Sequence, residues 1–250
     1  MDASLSRYYE NQYAQARPSQ RVLLPAGPPR DRHEACLLHF PQHFRGGRIL
    51  ELGAGTGLVT RSLIARGIDC SGYLATDRSQ AALGALAAGL DDPKVETLRV
   101  DAEELPEDLA EGFDAILMVA LVEHLVDPVE AMRQVRKLLR PGGFVYLDTP
   151  NIAKYTRRLK LLFGHFPATA SRAEGLTRYD GAPAELHDEG HLHYFTYRSL
   201  TRMLVERCGF TRVENLPYFQ SAPAQLAGIA HRAAQIWPEL LAEVAVVAYK

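Results

Sequence analysis

A chain of 250 residues with 47% hydrophobic side chains can bury one sizeable core, whereas two domains cut from it would each be small. Its 28 basic and 30 acidic residues leave a formal charge of −2, so no global field draws it to nucleic acid. The three cysteines, Cys36, Cys70 and Cys208, stand far apart with no C-x-x-C, which argues against a zinc knuckle or disulfide framework and for a reducing compartment.

No apolar run approaches the ~20 residues that a membrane span needs. Met1-Asp2-Ala3-Ser4 lacks a signal-peptide pattern, so a cytoplasmic location is expected. Residues 1–20 form a polar segment with Tyr8, Tyr9 and Tyr13. Pro25-Ala26-Gly27-Pro28-Pro29 is a loop, and Asp31 caps a helix that runs to about Phe44. Arg48 to Leu52 reads as a short apolar strand carrying Glu51 near its end; it breaks into a glycine turn, and a helix follows from Leu58 to about Arg66. Ile68 to Thr76 is a second strand ending at Asp77. Ser79 caps an alanine- and leucine-rich helix to about Ala88. Val95 to Val100, Phe113 to Val119 and Gly143 to Thr149 are the next strands, with a short turn or helix over Pro106 to Ala110 and a helix opened by Pro128 between them. Strands alternating with helices predict a parallel, doubly wound α/β sheet. Further on, Thr196 caps a helix from Tyr197 to Cys208 that Gly209 stops. Thr211 to Pro217 is a sixth strand, Ala222 to Leu241 holds a helix broken near Pro238, and Glu243 to Tyr249 is a last, buried strand.

The glycine turn carries the chemistry. Gly53-x-Gly55-x-Gly57 differs from the G-x-G-x-x-G of dinucleotide binders and lacks the Gly-Lys-Ser/Thr ending of a phosphate loop. Glycine admits backbone angles closed to other residues and lets a ligand lie against the main chain. The helix start that follows offers free N–H groups and a positive dipole end. Asp77, twenty residues after Gly57, stands where an acidic side chain accepts both hydroxyls of a ribose.

These residues resemble the class I S-adenosylmethionine-dependent methyltransferases. Glu51 to Gly57 is similar to that family's first motif, Asp77 to its ribose-binding acid, and Asp101-Ala102 to its adenine-contacting pair. Phe113-Asp114-Ala115-Ile116 and Leu139-Arg140-Pro141-Gly142-Gly143 match its fourth-strand motif and the turn before its fifth strand. The resemblance implies a Rossmann-like sheet of seven strands, mostly parallel with an antiparallel last strand. It implies S-adenosyl-L-methionine as cofactor, leaving as S-adenosyl-L-homocysteine. Glu51, Gly53, Gly55, Gly57, Asp77, Asp101, Ala102 and Ala120 would form the cofactor site. Residues 1–45 would be an N-terminal helical lid or cover, with lid and surface helix both open. Residues 46–250 would be the methyltransferase domain, with an acceptor-side insertion over 150–193.

Within this family the chain is most similar to quinone-type and surface-polysaccharide O-methyltransferases. The methyl group on a sulfonium is already electrophilic, so the protein must align donor and acceptor, exclude water and, for a hydroxyl, remove a proton. Glu123-His124 follows the fourth strand, beside the transferring methyl in this fold, and makes His124 a candidate base; a helix-capping, packing role is the alternative. His187-Asp188-Glu189-Gly190-His191-Leu192-His193 supplies a second candidate, His191, with His187 and His193 as substrate contacts. A divalent metal there is the weakest reading, so no metal ligand is assigned. Asn151 to Phe163 has helical spacing, with Ile152, Tyr155, Leu159 and Leu162 on one face and Lys154, Arg157, Arg158 and Lys160 over the rest. Asn151 and Arg157 are candidate substrate contacts, and the basic helix either grips a phosphorylated or lipid-linked acceptor, lies on a membrane, or simply covers the domain.

The leading expectation is O-methylation of a sugar or saccharide hydroxyl in surface-polysaccharide biosynthesis. A quinone precursor or other small phenol is the alternative acceptor, and a non-catalytic cofactor-binding protein is a further class. Nucleic acid is not expected: Met118-Val119-Ala120-Leu121 stands where base-amine methyltransferases carry Asn/Asp-Pro-Pro-aromatic.

Overall fold

The computed structural model describes residues 10–11, 13–14, 20–106, 109, 112–170, 176–177, 186–220 and 224–250. Tyr8 and Tyr9, and much of the expected turn over Pro106 to Ala110, lie outside the described residues.

Seven strands form one sheet: β1 (Arg48–Leu52), β2 (Gly72–Asp77), β3 (Val95–Arg99), β4 (Phe113–Val119), β5 (Leu139–Thr149), β8 (Arg212–Asn215) and β9 (Val244–Tyr249). Their order is β3-β2-β1-β4-β5-β9-β8. Strands β1 to β5 pair in parallel, and β9 runs antiparallel to both β5 and β8. The expected seven-stranded, mostly parallel sheet with an antiparallel last strand is therefore present. Two residue pairs, β6 (Leu176–Thr177) and β7 (Leu186–His187), make a separate hairpin.

Helices α1 (Arg32–His43), α2 (Leu58–Ala65), α3 (Gln80–Gly89), α4 (Pro128–Leu138), α5 (Tyr155–Leu162), α6 (Tyr197–Arg202), α7 (Ala227–Ile236) and α8 (Pro238–Leu241) connect the strands. The caps read from sequence operate. Asp31 accepts from the Glu34 amide, Ser79 from Ala82, and Thr196 closes a capping box with Ser199. The helix after Thr196 loosens into a π-turn over Met203–Arg207 before Gly209. Each face of the sheet has its own core. One packs Leu50, Ile116 and Val145 against Met132, Val135 and Leu200, while the other packs Ile49, Ala115 and Tyr146 against Cys36, Leu37 and Phe40. Helix α1 therefore belongs to the domain's interior. All three cysteines are free thiols and buried.

Helix α5 departs from this pattern, because none of its residues is buried. Among the described residues no helix is long and apolar enough to cross a membrane.

Candidate active site

Strand order reverses between β1 and β4, and a doubly wound sheet opens a crevice at that point, outside the carboxyl ends of its strands. A cavity of about 270 Å³ lies there. Gly53 reaches it from the end of β1, Asp77 and Arg78 from β2, Asp101 and Ala102 from beyond β3, and Ala120 and Leu121 from β4.

At one end of the cleft the backbone is shaped by glycines. Gly53, Gly55 and Gly57 all take positive φ, at 74°, 54° and 82°. Gly57 is also fixed by space: a Cβ there would stand 2.5 Å from Leu86 Cγ. The loop is tied to the acid of β2, for the Gly55 N–H donates to Asp77 Oδ2 (2.8 Å) and the Ser79 N–H to Asp77 Oδ1 (2.8 Å). A carboxylate has about four lone-pair sites, so Asp77 can still accept from a hydroxyl in the cleft. Burial raises its pKa, and backbone donors at Ser79, Gly55 and Arg78, with the Arg78 charge, pull it back. Asp101 pairs with the Arg78 guanidinium at 3.3 Å and accepts from the Glu103 amide at 3.1 Å. Tyr13 closes this end from above, with its hydroxyl 3.5 Å from where a Gly55 Cβ would be. Burial and the nearby Asp77 push its phenol up to about 12. Glu10 accepts from the amides of Gln80 and Ala81, at 3.1 and 3.2 Å, at the N-terminus of α3.

The other end gathers titratable groups. Ala120 holds φ 53°, unusual for a residue with a Cβ, and its N–H donates to Asp148 Oδ1 at 3.0 Å. One turn on, Val122–His124 form a short 3-10 segment that turns Glu123 inward and His124 to the cleft. Glu123 is fully buried, and its carboxylate lies 3.6 Å from Arg32 Nη1. Burial lifts Glu123 to about 7 against the pull of Arg32, and lifts Asp148, at the end of β5, to about 8. Two buried carboxyls thus share one guanidinium.

His124 and His191 meet edge to face with ring centroids 4.6 Å apart. His124 Nδ1 lies 3.1 Å from the Gly190 carbonyl, which can only accept, so Nδ1 carries the proton. The Thr169 hydroxyl donates to Asp188 Oδ2 (2.6 Å), so His191 Nδ1, 2.6 Å away, donates to Thr169 Oγ1. In both rings Nε2 is then the basic nitrogen. Burial lowers the two imidazoles, His124 to about 4 and His191 to about 3, so both are neutral at pH 7. Asp188 anchors this corner: it is wholly buried at φ 47° and also accepts from the Thr169 and Ala170 amides at 2.7 and 2.9 Å. The loop is pinned to the β4 turn, since the Leu192 and His193 amides donate to the Glu123 carbonyl at 2.8 and 3.1 Å. Ligand atoms of Glu123, His124 and His191 lie within 4.8 Å of one another, a donor set able to hold a divalent cation.

The cleft brings together Gly53, Asp77, Asp101, Ala102, Ala120, His124 and His191. Other expected contacts point elsewhere. Glu51 lies beneath the loop, where Oε2 accepts from Thr60 Oγ1 (2.6 Å) and Tyr73 OH (2.5 Å); it braces the glycine turn and is not among the lining residues. Asn151 and Arg157 are corrected as substrate contacts. Asn151 is fully buried, its Nδ2 donating to the Ala242, Glu239 and Pro238 carbonyls at 2.9, 3.1 and 3.4 Å, and Arg157 Nη1 is held by Glu243 at 2.9 Å. His193 turns its Nε2 to the Val126 carbonyl (3.2 Å) outside the lining set. The His187 side chain lies outside what is described. Sequence reasoning missed Arg32, Arg78 and Asp148. An aspartate ending an otherwise apolar strand was the one available sign for Asp148.

This fold and cleft are those of the S-adenosylmethionine-dependent methyltransferases, whose cofactor is S-adenosyl-L-methionine. A family model described as a methyltransferase domain matches residues 27–215, and the chain belongs to that family. Curated relatives include a ubiquinone biosynthesis O-methyltransferase of Dechloromonas aromatica, 32% identical over 108 residues, covering 42% of this chain and 45% of that protein. An uncharacterized methyltransferase of Mycobacterium tuberculosis is 44% identical over 96 residues, 38% of this chain and 37% of that protein. The chain thus spans less than half the length of these curated relatives. Among solved structures, an S-adenosylmethionine-dependent methyltransferase of Mesorhizobium loti superposes with a TM-score of 0.57 at 21% identity, over 88% of this chain and 98% of that one. One from Archaeoglobus fulgidus gives 0.56 at 15% identity, over 88% and 95%. At such identities the likeness is one of fold.

Proposed function

We propose that this protein transfers a methyl group from S-adenosyl-L-methionine to a hydroxyl of a saccharide or saccharide-like acceptor. The observation that carries the reading is the polar far end of the cleft, where Arg32, His124, Glu189 and His191 line the wall. Such groups hydrogen-bond a hydroxyl-rich molecule, while Tyr13, at the cofactor end, is the one benzene-type ring among the described lining residues. In this reading Asp77 holds the ribose hydroxyls, Asp101 and the Ala102 amide meet the adenine, and the glycine loop lies along the methionine portion. Residues 1–45 contribute a cover through Tyr13, and 150–193 supply the acceptor wall through Ala170, Glu189 and His191.

His124 or His191 takes the hydroxyl proton on Nε2, and Glu123 behind them stabilises the imidazolium that forms. A phenolic acceptor is the second reading, favoured by the ubiquinone biosynthesis O-methyltransferases among the relatives. A divalent cation on Glu123, His124 and His191, acidifying the acceptor hydroxyl, is distinguished by loss of transfer on chelation. The basic helix α5 is assigned to a phosphorylated or lipid-linked acceptor or to a membrane surface.

The test offers methyl-labelled S-adenosyl-L-methionine with sugar nucleotides and oligosaccharides, or with catechols. Label in the saccharides is expected. Label only in catechols replaces the acceptor class, and cofactor binding without any transfer supports a non-catalytic protein. His124→Ala and His191→Ala should bind cofactor normally and lose transfer; full activity in both removes them as bases.

A further inference from the structure

Helix α5 has an anomaly that its sequence alone does not reveal. It is amphipathic, yet none of its residues is buried, and Leu159, Leu161, Leu162 and the following Phe163 are 48%, 57%, 74% and 73% exposed. Apolar side chains left in water in one run call for a partner. The helix is nonetheless firmly rooted. Lys154 Nζ and Arg157 Nη1 both reach the buried Glu243 carboxylate, at 2.8 and 2.9 Å, and Arg157 also donates to the Asn151 carbonyl at 2.7 Å. Beyond Phe163 the chain turns at Gly164 (φ 77°) and returns to the buried Ala168. The result is a fixed projection with an apolar tip.

A second exposed apolar group grows from the same root. Asn151 Nδ2 binds the α8 carbonyls of Pro238 and Glu239, which places the α7–α8 corner beside the base of α5. That corner exposes Ile236 and Trp237, at 69% and 62%. Charge identifies the occupant. Residues 151–170 contain four cations, Lys154, Arg157, Arg158 and Lys160, and no carboxylate. Glu243 pairs with the inner two and offsets one of their charges, while Arg158 and Lys160 stay exposed beside the apolar tip. A second copy docking through the same face would set like charges against each other. An anionic bilayer satisfies both features, taking the apolar side chains at its acyl boundary and the cations at its headgroups, with tryptophan at the interface.

We infer that α5 with Phe163, joined by Ile236 and Trp237, is a docking face for an anionic lipid bilayer. The segment behind it runs to Thr169, which holds His191, and to Ala170, which lines the cleft. Docking would therefore set the acceptor end of the cleft near the membrane, a consequence that rests on the methyl-transfer reading; the docking itself does not.

Trp237 is the chain's only tryptophan, so its fluorescence reports the contact directly. The full chain is mixed with vesicles of phosphatidylcholine alone or with added phosphatidylglycerol. Co-sedimentation and a blue shift with the anionic vesicles, weakened by salt, are expected. Leu162→Glu with Phe163→Glu should lower vesicle affinity more than about tenfold while leaving cofactor binding and the thermal midpoint unchanged. Arg158→Glu with Lys160→Glu should abolish the preference for phosphatidylglycerol. No sedimentation with anionic vesicles overturns the inference, as does a dimer in ultracentrifugation that Leu162→Glu with Phe163→Glu dissolves. Because cofactor binding and transfer to a soluble acceptor are measured without lipid, failure here and failure of the transfer reading separate.

Discussion

Replacing Glu123 by glutamine should stabilise the fold, and more so as pH rises. The side chain is wholly buried, and burial lifts its carboxyl from an ordinary 4.5 to about 7 against the pull of Arg32 and of hydrogen bonds from its own amide and Thr149. Between those values the native state keeps a proton that the unfolded chain has released. The group's contribution to stability is therefore complete below pH 4.5 and is lost as pH rises through 7. At about 1.4 kcal/mol per pH unit, this costs about 3 kcal/mol at pH 8 and less than about 1 kcal/mol at pH 5. Both figures are upper limits, since Asp148 and Arg32 share the site and respond to the change. Glutamine keeps the shape and cannot ionise. Urea unfolding of both proteins at pH 5, 6.5 and 8, without cofactor, gives the difference curve. His124 and His191 act in the opposite sense at lower pH, but they are present in both proteins and largely cancel. Parallel stability curves for the two proteins would refute the reasoning.

Gly57→Ala should lose at least about 2 kcal/mol, because positive φ and the Leu86 contact oppose the added Cβ; an unchanged thermal midpoint contradicts this. Asn151→Ala should destabilise by about 2–3 kcal/mol through the carbonyls it leaves without a donor, with cofactor affinity unchanged by calorimetry. Intact stability with altered acceptor preference would return it to the substrate. Asp77→Ala should weaken cofactor binding about tenfold or more, and equal affinity would end the ribose assignment. Transfer rate should rise with pH through about 7 as Glu123 ionises and strengthens the imidazole base. A rate flat from pH 5 to 8 would mean that the histidines, already neutral there, act without it.

What the sequence disclosed was local. The glycine turn, the caps at Asp31, Ser79 and Thr196, and the acids ending β2 and following β3 depend on neighbours a few residues away, and the fold follows from their alternation. The acceptor end was legible only in part, because it is made of distant pairs. Glu123 finds Arg32 across 91 positions, and His124 meets His191 across 67. Asn151 and Arg157 looked free to bind substrate because nothing near them in sequence announces Glu243. The basic pattern of α5 was visible, but that its apolar residues stay exposed was not.

The grip of Glu10 on the start of α3 makes one edge of the cleft sensitive to salt. Two amide hydrogen bonds at a partly exposed site are together worth on the order of 1–2 kcal/mol. Added ions screen the attraction between a carboxylate and a helix N-terminus. Glu10 should therefore hold the cofactor end of the cleft less firmly in brine than in dilute buffer.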